Sequence, residues 1–304
     1  MNKLLTFSFI GGDLRQLRAM KSLADEGFRV KAYGFLPQHF DGAEQIYSAG
    51  SIIDCISGAD AVVLPLPYSV ESGERRKINT PLWDNTIDAD EILNEKPKLL
   101  FAGKVDLFLT DRCRDMNIKL FDYAQREDFA VMNAVPTAEG AIELAMANTT
   151  HTLHKSRCLI VGYGRIGKAL ATSLRALGAE VCVTARKFSD LAWIEANGCE
   201  GAQTDTLCDI AGDFDVIFNT VPHKVIDFKV LAKTKNDVLI IDLASRPGGV
   251  DFEVAQRLGR RVIWALSLPG KCAPDTAGEI IKDTLVNILE EIVSNDVWKN
   301  ESNK

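Results

Sequence analysis

The chain has 304 residues, 46% of them apolar and 25% charged, which suits a globular protein large enough for two domains. Its net charge of −7, without a run of basic residues, argues against a nucleic-acid-binding surface. No apolar stretch approaches the roughly 20 residues of a membrane-spanning helix, and seven scattered cysteines favour reduced thiols over disulfides or a zinc site. We therefore expect a cytoplasmic protein without a metal, membrane or nucleic-acid partner.

Strands and helices alternate along the chain in two series, a pattern typical of doubly wound α/β layers. The strands of the first series are short apolar runs bounded by glycine or proline, as in a parallel sheet covered on both faces. We predict strands at 3–10, 29–34, 60–67, 98–103 and 118–123, and helices at 14–26, 89–95 and 104–116. The segment 69–83 lacks periodicity, and it is either a flap over a cleft or a plain surface loop.

A helix over 137–149 is predicted to lead into the second series, because Pro136 and Thr137 form a helix-start signal with Glu139 in the first turn. The strands of this series lie in the segments 157–187, 214–222, 238–244 and 261–270, and an amphipathic helix follows at 276–292. The predicted fold is α/β, with two doubly wound parallel-sheet domains and a C-terminal helix that crosses back to the first. The first domain takes residues 1–135 and the C-terminal helix at about 276–304, and the second, at 136–275, is a Rossmann dinucleotide-binding domain.

A glycine fingerprint in the second series carries the strongest functional signal. Gly162, Gly164 and Gly167 follow a strand directly and open a helix, which is the context that this spacing needs to indicate a dinucleotide site. The first glycine permits the tight turn, the second lets the backbone approach a pyrophosphate, and the third lets helix and strand pack closely. The candidate cofactor residues of this turn are Gly162, Tyr163, Gly164, Arg165, Ile166 and Gly167.

The end of the next strand bears on which dinucleotide binds. NAD-binding units place an acidic residue there for the ribose hydroxyls, whereas this strand ends with Thr184, Ala185, Arg186 and Lys187. Two cations without a carboxylate suit a 2′-phosphate and favour NADP over NAD, although a solvated basic pair would look the same in sequence. The residues after later strands are expected to border the nicotinamide ribose; these are Thr220, Val221, Pro222, Asp242, Ala244 and Ser245.

The arrangement resembles the 2-hydroxyacid and alanine dehydrogenases, in which a Rossmann unit follows a first α/β domain. Hydroxyacid chemistry, however, needs a histidine paired with an acid late in the chain to move a proton. The chain's histidines are His39, His151, His154 and His223, and none follows residue 223. That departure argues against a simple hydroxyacid dehydrogenase.

Five stretches in the same order resemble the family of dipicolinate synthase A subunits: FIGGDLRQ, NAVPTAEGAIELAM, VGYGRIGKALA, IDLASRPGGVDF and LPGKCAPDTAG. The resemblance covers nearly the whole chain. It implies oxidation of dihydrodipicolinate, or of its hydrated precursor hydroxytetrahydrodipicolinate, to pyridine-2,6-dicarboxylate with NADP as the hydride acceptor. It also implies sporulation, a mother-cell cytoplasmic location, a flavodoxin-like partner that is the B subunit of dipicolinate synthase, and a homo-oligomer within that complex.

A dicarboxylate substrate would need cations and free N–H groups around it. The candidate substrate residues are Gly11, Gly12, Asp13, Arg15, Thr137, Ala138 and Arg246, where the last is equally well a structural arginine in a turn. Candidates for accepting the proton or for otherwise assisting catalysis are Lys271, Glu139 and His223. For FIGGDLRQ the alternative is a tight strand–helix turn with a solvated Asp13–Arg15 pair.

Two other functions remain open at this point. One is an alanine- or 2-hydroxyacid-type dehydrogenase with rearranged catalytic groups. The other is a non-catalytic regulatory subunit that senses NADP(H), since Rossmann folds also serve as sensors. Charged residues near both predicted domain junctions favour an enzyme, because a sensor needs no second anion site.

Overall fold

The computed structural model describes residues 5–43, 45–70 and 75–301 of the chain. The chain divides into two compact units, the first formed by Met1–Ala130 with Pro274–Lys304 and the second by Val131–Ala273. Both units consist of a parallel sheet with helices on its two faces, which confirms the predicted fold class.

The first unit contains six strands and the helices between them. Its strands are β1 (Thr6–Ile10), β2 (Arg29–Tyr33), β3 (Ile46–Ser48), β4 (Ala61–Val63), β5 (Leu99–Ala102) and β6 (Lys119–Asp122). Its helices are α1 (Leu14–Asp25), α2 (Ile52–Ile56), α3 (Ala89–Asn94), α4 (Leu107–Asp115) and the C-terminal α12 (Pro274–Glu301). The division between the two units falls inside α5 (Glu127–Asn148).

The second unit repeats the same plan. Its strands are β7 (Arg157–Val161), β8 (Glu180–Ala185), β9 (Glu200–Gln203), β10 (Val216–Asn219), β11 (Leu239–Asp242) and β12 (Arg261–Trp264). Its helices are α6 (Arg165–Ala176), α7 (Phe188–Ala196), α8 (Leu207–Ile210), α9 (Phe228–Lys233), α10 (Phe252–Arg257) and α11 (Leu268–Cys272). Short 3₁₀ turns lie at Pro37–Phe40, Tyr123–Gln125, Thr204–Thr206 and Ala211–Asp213.

The two sheets share one strand order. The first runs β3-β2-β1-β4-β5-β6, and the second runs β9-β8-β7-β10-β11-β12. In such a sheet the order reverses direction between the first and fourth strands, and ligands bind outside the carboxyl ends of the strands at that reversal. The structure therefore defines one such point in each unit, at β1/β4 and at β7/β10.

The C-terminal helix belongs to the first unit, to which it was predicted to cross back, and it packs there against α1. The contact includes buried apolar residues of both helices, and α1 and α12 are also joined by polar bonds. Arg18 Nε donates to Glu279 at 2.7 Å, and Lys282 Nζ donates to Glu26 at 2.6 Å. Because Gly278 has no side chain, the two helices can approach closely at this position.

The predicted start of the bridging helix is wrong. α5 begins at Glu127, so Pro136 and Thr137 lie in its interior. Buried contacts of Phe129 and Ala134 accompany the earlier turns, and such packing overrides the local start signal. The carbonyl of Met132, which loses its helical donor to the proline, belongs to an exposed residue where water can satisfy it.

The described part of the segment 69–83, predicted as a flap or a surface loop, is held by two isolated bridges. Residues 71–74 lie outside the described residues, but Ser69 and Ile78 form an antiparallel bridge, as do Lys77 and Asp88. Ile78 is buried, and the Asn79 N–H donates to the Tyr68 carbonyl at 2.9 Å. The described part of this segment is therefore an ordered cover over the carboxyl edge of the first sheet.

Candidate functional site

The glycine fingerprint forms the turn between β7 and α6. Gly162 has a φ of 101°, and its N–H donates to the Thr184 carbonyl at 3.1 Å. A Cβ added to Gly167 would lie 2.2 Å from the Gly162 oxygen, so this position fixes close packing of the helix on the turn. At Gly164 an added Cβ would meet nothing within 4 Å, which leaves open space in front of the backbone where a pyrophosphate can approach.

A cavity of about 600 Å³ opens at this turn, on the β7/β10 reversal of the second sheet. Its size suits a small-molecule or cofactor site. The lining residues lie at or just after the carboxyl ends of four strands, β7, β8, β9 and β10: Gly162, Tyr163, Gly164, Ala185, Arg186, Lys187, Asp190, Thr204, Thr220, Val221, Pro222, His223 and Val225. Arg165 is exposed at the start of α6, and Ile166 packs on the core. The residues present fit a dinucleotide.

One end of the cavity is basic. Arg186 and Lys187 follow β8, are exposed, and form no ion pair with the residues that the structure describes. The interpretation of Thr184 as a cofactor contact is wrong, because its side chain is fully buried behind the wall. Sequence reasoning missed Asp190 and Thr204, which share this end; Asp190 lies in the first turn of α7, too far from the strand end for the pattern to include it.

The opposite end is formed by the turn after β10. Thr220, Val221 and Pro222 line the cavity, and so does His223, which is exposed. The hydroxyl of Thr220 donates to the Val161 carbonyl at 2.9 Å, which ties this turn to the end of β7. Of the three candidates for a catalytic role, His223 is the one among the lining residues.

Behind that turn lies a buried polar pair, Asn219 and Asp242, both with 0% exposure. The Asn219 Nδ2 donates to Asp242 at 2.8 Å and to the Val221 carbonyl at 3.0 Å, while its Oδ1 accepts from the Val221 N–H at 3.2 Å. Asp242 also accepts N–H groups from Ala244 at 3.1 Å and Gly249 at 2.8 Å. The prediction that Asp242 touches the cofactor is therefore wrong, because its carboxylate is enclosed by protein. Asn219 went unnoticed as a single polar residue ending an apolar strand.

The residues that follow β11 differ in their exposure to solvent. Ala244 is buried, and its carbonyl accepts the Trp264 indole N–H at 2.9 Å, so it contributes to structure and not to a cofactor contact. Ser245 and Arg246 are exposed, and the guanidinium of Arg246 lies over the Trp264 ring at 5.8 Å from its centre. These exposed positions leave both side chains accessible to a ligand.

The FIGGDLRQ turn of the first unit differs from its counterpart. The Gly11 N–H donates to the Tyr33 carbonyl at 2.9 Å, and an added Cβ would lie 2.8 Å from the Thr80 side chain and 2.9 Å from that of Ile78. The prediction that the Gly11 N–H receives a carboxylate is therefore wrong, because the N–H is used and the ordered cover lies against this residue. Gly12 is buried and packs against the Gln16 side chain.

Asp13 and Arg15 form an ion pair at the start of α1. Asp13 caps the helix by accepting the Arg15 N–H at 2.9 Å, and the Arg15 Nη2 donates to its carboxylate at 2.8 Å. The same nitrogen donates to the Leu66 carbonyl in the turn after β4, and Arg15 is only 8% exposed. Both roles expected for Asp13, helix capping and orientation of Arg15, are present. The guanidinium is held by protein, which leaves Nη1 as its nitrogen without a partner in the described part of the chain.

A second polar group at this edge was not foreseen from the sequence. Tyr68 donates its hydroxyl to Asp106 at 2.6 Å, and Arg76 Nε donates to the other carboxylate oxygen at 2.7 Å. Burial and the hydrogen bond to Asp106 raise the pKa of Tyr68. Asp106 also caps α4, and Arg76 lies over the Phe108 ring, so the group anchors the ordered cover to the start of α4. Tyr68 and Asp106 are far apart in sequence, so no local motif signals their contact.

The remaining candidates lie on α5 and α11. Thr137 and Ala138 are buried inside α5, and the Thr137 hydroxyl donates to the Asn133 carbonyl at 2.7 Å, so neither provides the free helix end that was predicted to bind an anion. Glu139 and Lys271 are exposed in the second unit. Neither belongs to the lining of the dinucleotide cavity.

Comparisons with known proteins match the two units separately and the chain as a whole. Residues 6–124 match the model of the N-terminal domain of the dipicolinate synthase A subunit, and residues 132–254 match that of the D-isomer specific 2-hydroxyacid dehydrogenase NAD-binding domain. The dipicolinate synthase A subunit of Bacillus subtilis is 34% identical over 292 residues, which cover 95% of this chain and 97% of the relative. The chain belongs to the family of dipicolinate synthase A subunits.

Solved structures agree with that assignment. The crystal structure of the dipicolinate synthase A chain from Bacillus subtilis aligns with a TM-score of 0.86 at 32% identity, and it covers 97% of this chain and 100% of that one. An L-alanine dehydrogenase aligns with a TM-score of 0.64 at 14% identity over 97% of this chain and 92% of that one, and this likeness concerns the fold alone. The family model that matches residues 132–254 makes the second unit an NAD(P)-binding domain of the dehydrogenase type.

Three further observations concern metal binding, membrane spans and the cysteines. Within the described residues, no group of three or more His, Cys, Asp or Glu side chains is placed to hold a metal ion. Among the helices of the same residues, none combines the length and the apolar character needed to cross a membrane. All seven cysteines are free, five of them buried, and burial raises the pKa of Cys158 and of Cys182 to about 12.

Proposed function

We propose that this chain is the oxidoreductase subunit of a dipicolinate synthase. It would oxidise dihydrodipicolinate, formed from hydroxytetrahydrodipicolinate, to pyridine-2,6-dicarboxylate with NADP as the hydride acceptor. The observation that carries the proposal is the 34% identity to a dipicolinate synthase A subunit, which extends along 95% of the chain. The dinucleotide cavity supports an oxidation, because a bound nicotinamide supplies hydride acceptance.

The choice of NADP rests on the basic end of the cavity. Arg186 and Lys187 lie there without an ion-pair partner among the described residues, and arginine binds phosphate in a bidentate manner. Asp190 lines the same end, so a 2′-phosphate would have to lie on the side of the two cations and away from this carboxylate. That arrangement makes Arg186 the residue on which cofactor choice depends most.

The reaction makes few demands on acid–base groups. Loss of a hydride and a proton gives an aromatic ring, so the protein's main task is to hold the substrate against the nicotinamide. We assign the proton-accepting role to His223, because it is exposed at the end of the cavity formed by the turn after β10, where the nicotinamide would lie. Glu139 and Lys271 stay candidates for orienting an anionic substrate from outside the cavity lining.

The substrate's two carboxylates call for cations that the fold leaves accessible. In the second unit Arg246 meets this condition, because it is exposed in the turn after β11 with its guanidinium over the Trp264 ring. In the first unit Arg15 is only 8% exposed and its guanidinium is held by Asp13 and Leu66, so Nη1 alone is left without a partner among the described residues. We therefore propose Arg246 as a carboxylate contact in the second unit, while Arg15, oriented by Asp13, stays a candidate anion contact within the first unit.

The relative's designation as one subunit of a synthase supports a partner chain. We propose a flavodoxin-like B subunit as that partner, together with a homo-oligomer within the complex and action in the mother-cell cytoplasm during sporulation. The decisive experiment supplies enzymatically generated hydroxytetrahydrodipicolinate and NADP to the purified chain, with and without that partner. NADPH absorbance and pyridine-dicarboxylate absorbance are followed together. Both should rise in equal amounts, and absence of NADPH formation even with the partner present would remove the proposal.

His223→Gln and His154→Gln form a matched pair for the same assay. Both residues are exposed histidines of the second unit, but only His223 is among the cavity-lining residues. We expect His223→Gln to lower kcat by about 100-fold, as for loss of a general base, and His154→Gln to leave it within about twofold. Equal rates in the two variants would show that His223 accepts no proton.

A further inference from the structure

The buried carboxylate of Asp242 lacks a positive partner. It accepts N–H groups from Asn219, Ala244 and Gly249, all of them neutral, at 2.8–3.1 Å. No Lys, Arg or His among the described residues lies within ion-pair distance of it, and its exposure is 0%. A negative charge enclosed in protein is screened little by solvent, so its field acts on any charged group that binds nearby.

The position of Asp242 indicates which part of a dinucleotide would feel this field. The pyrophosphate site at Gly162–Gly164 follows β7, in the middle of the sheet. On one side of β7 lies β8, which leads to the basic end of the cavity; on the other side lie β10 and then β11, which ends at Asp242. The cofactor's two halves extend to opposite sides of the pyrophosphate, so the nicotinamide belongs on the β10/β11 side.

The carboxylate is also directly connected to the wall of the cavity at that end. Asp242 is paired with Asn219 in the register of β10 and β11, and Asn219 binds both the N–H and the carbonyl of Val221. Val221 lines the cavity. One side chain therefore separates the buried charge from the residues that would border the nicotinamide.

We propose that Asp242 makes the site prefer the oxidised cofactor. Oxidised nicotinamide carries a positive charge that the reduced ring lacks, whereas the phosphates and the ribose are the same in both forms. The field of Asp242 thus favours NADP⁺ over NADPH, and Arg186 and Lys187 contribute equally to both. This inference rests on the proposed cofactor function, and it explains how the site would release the reduced cofactor after hydride transfer.

The test measures dissociation constants for NADP⁺ and NADPH by isothermal titration calorimetry on the full chain. The wild-type protein should bind NADP⁺ more tightly than NADPH. Asp242→Asn should reduce the ratio of the NADPH constant to the NADP⁺ constant by about tenfold, because the buried charge is lost. Binding of both forms with an unchanged ratio in this variant would overturn the inference and leave the proposed function intact, whereas binding of neither form to the wild type would remove the cofactor assignment itself.

Two controls separate charge from structure. Asn219→Ala breaks the same buried network but keeps the carboxylate, so it should weaken both redox forms by the same factor. Asp251→Asn removes a carboxylate at the surface, where it caps α10 and pairs with Lys224 at 3.1 Å, and it should leave the ratio unchanged. If Asp242→Asn does not fold, the two dissociation constants of the wild-type protein still test the inference. Tighter binding of NADPH than of NADP⁺ would contradict it.

Discussion

Replacement of Arg186 with alanine should weaken binding of NADP far more than binding of NAD. Arg186 follows β8 at the basic end of the dinucleotide cavity and is exposed, with no ion pair to the described residues. The substitution therefore removes no contact that stabilises the fold, and the midpoint temperature of unfolding should stay unchanged without ligand. Its effect is confined to the ligand's 2′-phosphate, which NAD lacks.

The size of the effect follows from the exposure of the site. A hydrogen bond to a charged group contributes about 1.5–3 kcal/mol, and solvent exposure keeps a bidentate guanidinium–phosphate contact near the lower end of that range. About 1.5–2 kcal/mol for the bidentate guanidinium corresponds to a rise of roughly 10- to 30-fold in the NADP dissociation constant. The NAD constant should change by less than about threefold, because its ribose hydroxyls gain little from a cation.

Calorimetric titration of both oxidised cofactors at two ionic strengths checks this expectation. Lys187→Ala is the matched control, since it removes an exposed cation from the same end without removing bidentate geometry, and it should cost about two- to fivefold for NADP. The difference between NADP and NAD should shrink at high salt. An equal rise of both constants in Arg186→Ala would refute the 2′-phosphate argument and favour NAD.

Three further predictions concern the two units separately. Gly164→Ala should fold normally but bind the cofactor poorly, because its Cβ meets only the space that a pyrophosphate would take. Gly167→Ala places a Cβ 2.2 Å from a backbone oxygen, so it should lower the midpoint temperature of unfolding without ligand. A destabilised Gly164→Ala together with a stable Gly167→Ala would contradict both roles. Gly278→Ala places a Cβ 2.5 Å from a backbone oxygen of α1, and it should reduce the free energy of unfolding by about 1–3 kcal/mol in urea titration; an unchanged midpoint would contradict the close packing of α12 on α1. The Arg126 guanidinium lowers the pKa of Asp128 to about 2, so the stabilisation that this ion pair provides above the ordinary aspartate pKa should be lost between about pH 4 and pH 2. After allowance for solvent exposure this stabilisation amounts to about 1 kcal/mol or less. Asp128→Asn should therefore flatten the dependence of the free energy of unfolding on pH in that range.

The parts of the site that local sequence determines could be predicted. Gly162, Gly164 and Gly167 act through a strand, a turn and a helix that adjoin in the chain, so their spacing alone fixes their geometry. Arg186 and the turn at Thr220 follow strand ends, and parallel strands bring such ends to one edge of a sheet. The same logic produced both doubly wound sheets, although the short strands β3 and β9 were missed because Ile46–Ser48 is only three residues long and Glu200–Gln203 has little apolar character.

The errors share a different cause, which is contact between distant segments. Gly11 was predicted to face an anion, but Ile78 and Thr80 lie against it, and nothing near the turn in sequence signals that contact. The helix start at Pro136 was a sound local signal that buried packing of earlier turns overrides. Asp242 was placed correctly at a strand end, yet whether its carboxylate points to the cavity or into the protein depends on the amide groups that surround it.

The ordered cover over Gly11 has a consequence for cofactor stoichiometry. Both sheets have the strand order of a nucleotide-binding framework, so the chain holds two reversal points where a dinucleotide turn could lie. In the first unit the chain's own Ile78–Thr80 segment occupies the space against that turn. Asp13, which caps α1, and its ion-pair partner Arg15 stand where the second unit leaves its backbone free for a pyrophosphate. Saturating titration should therefore give one equivalent of dinucleotide per chain, which leaves the first framework to serve a different ligand.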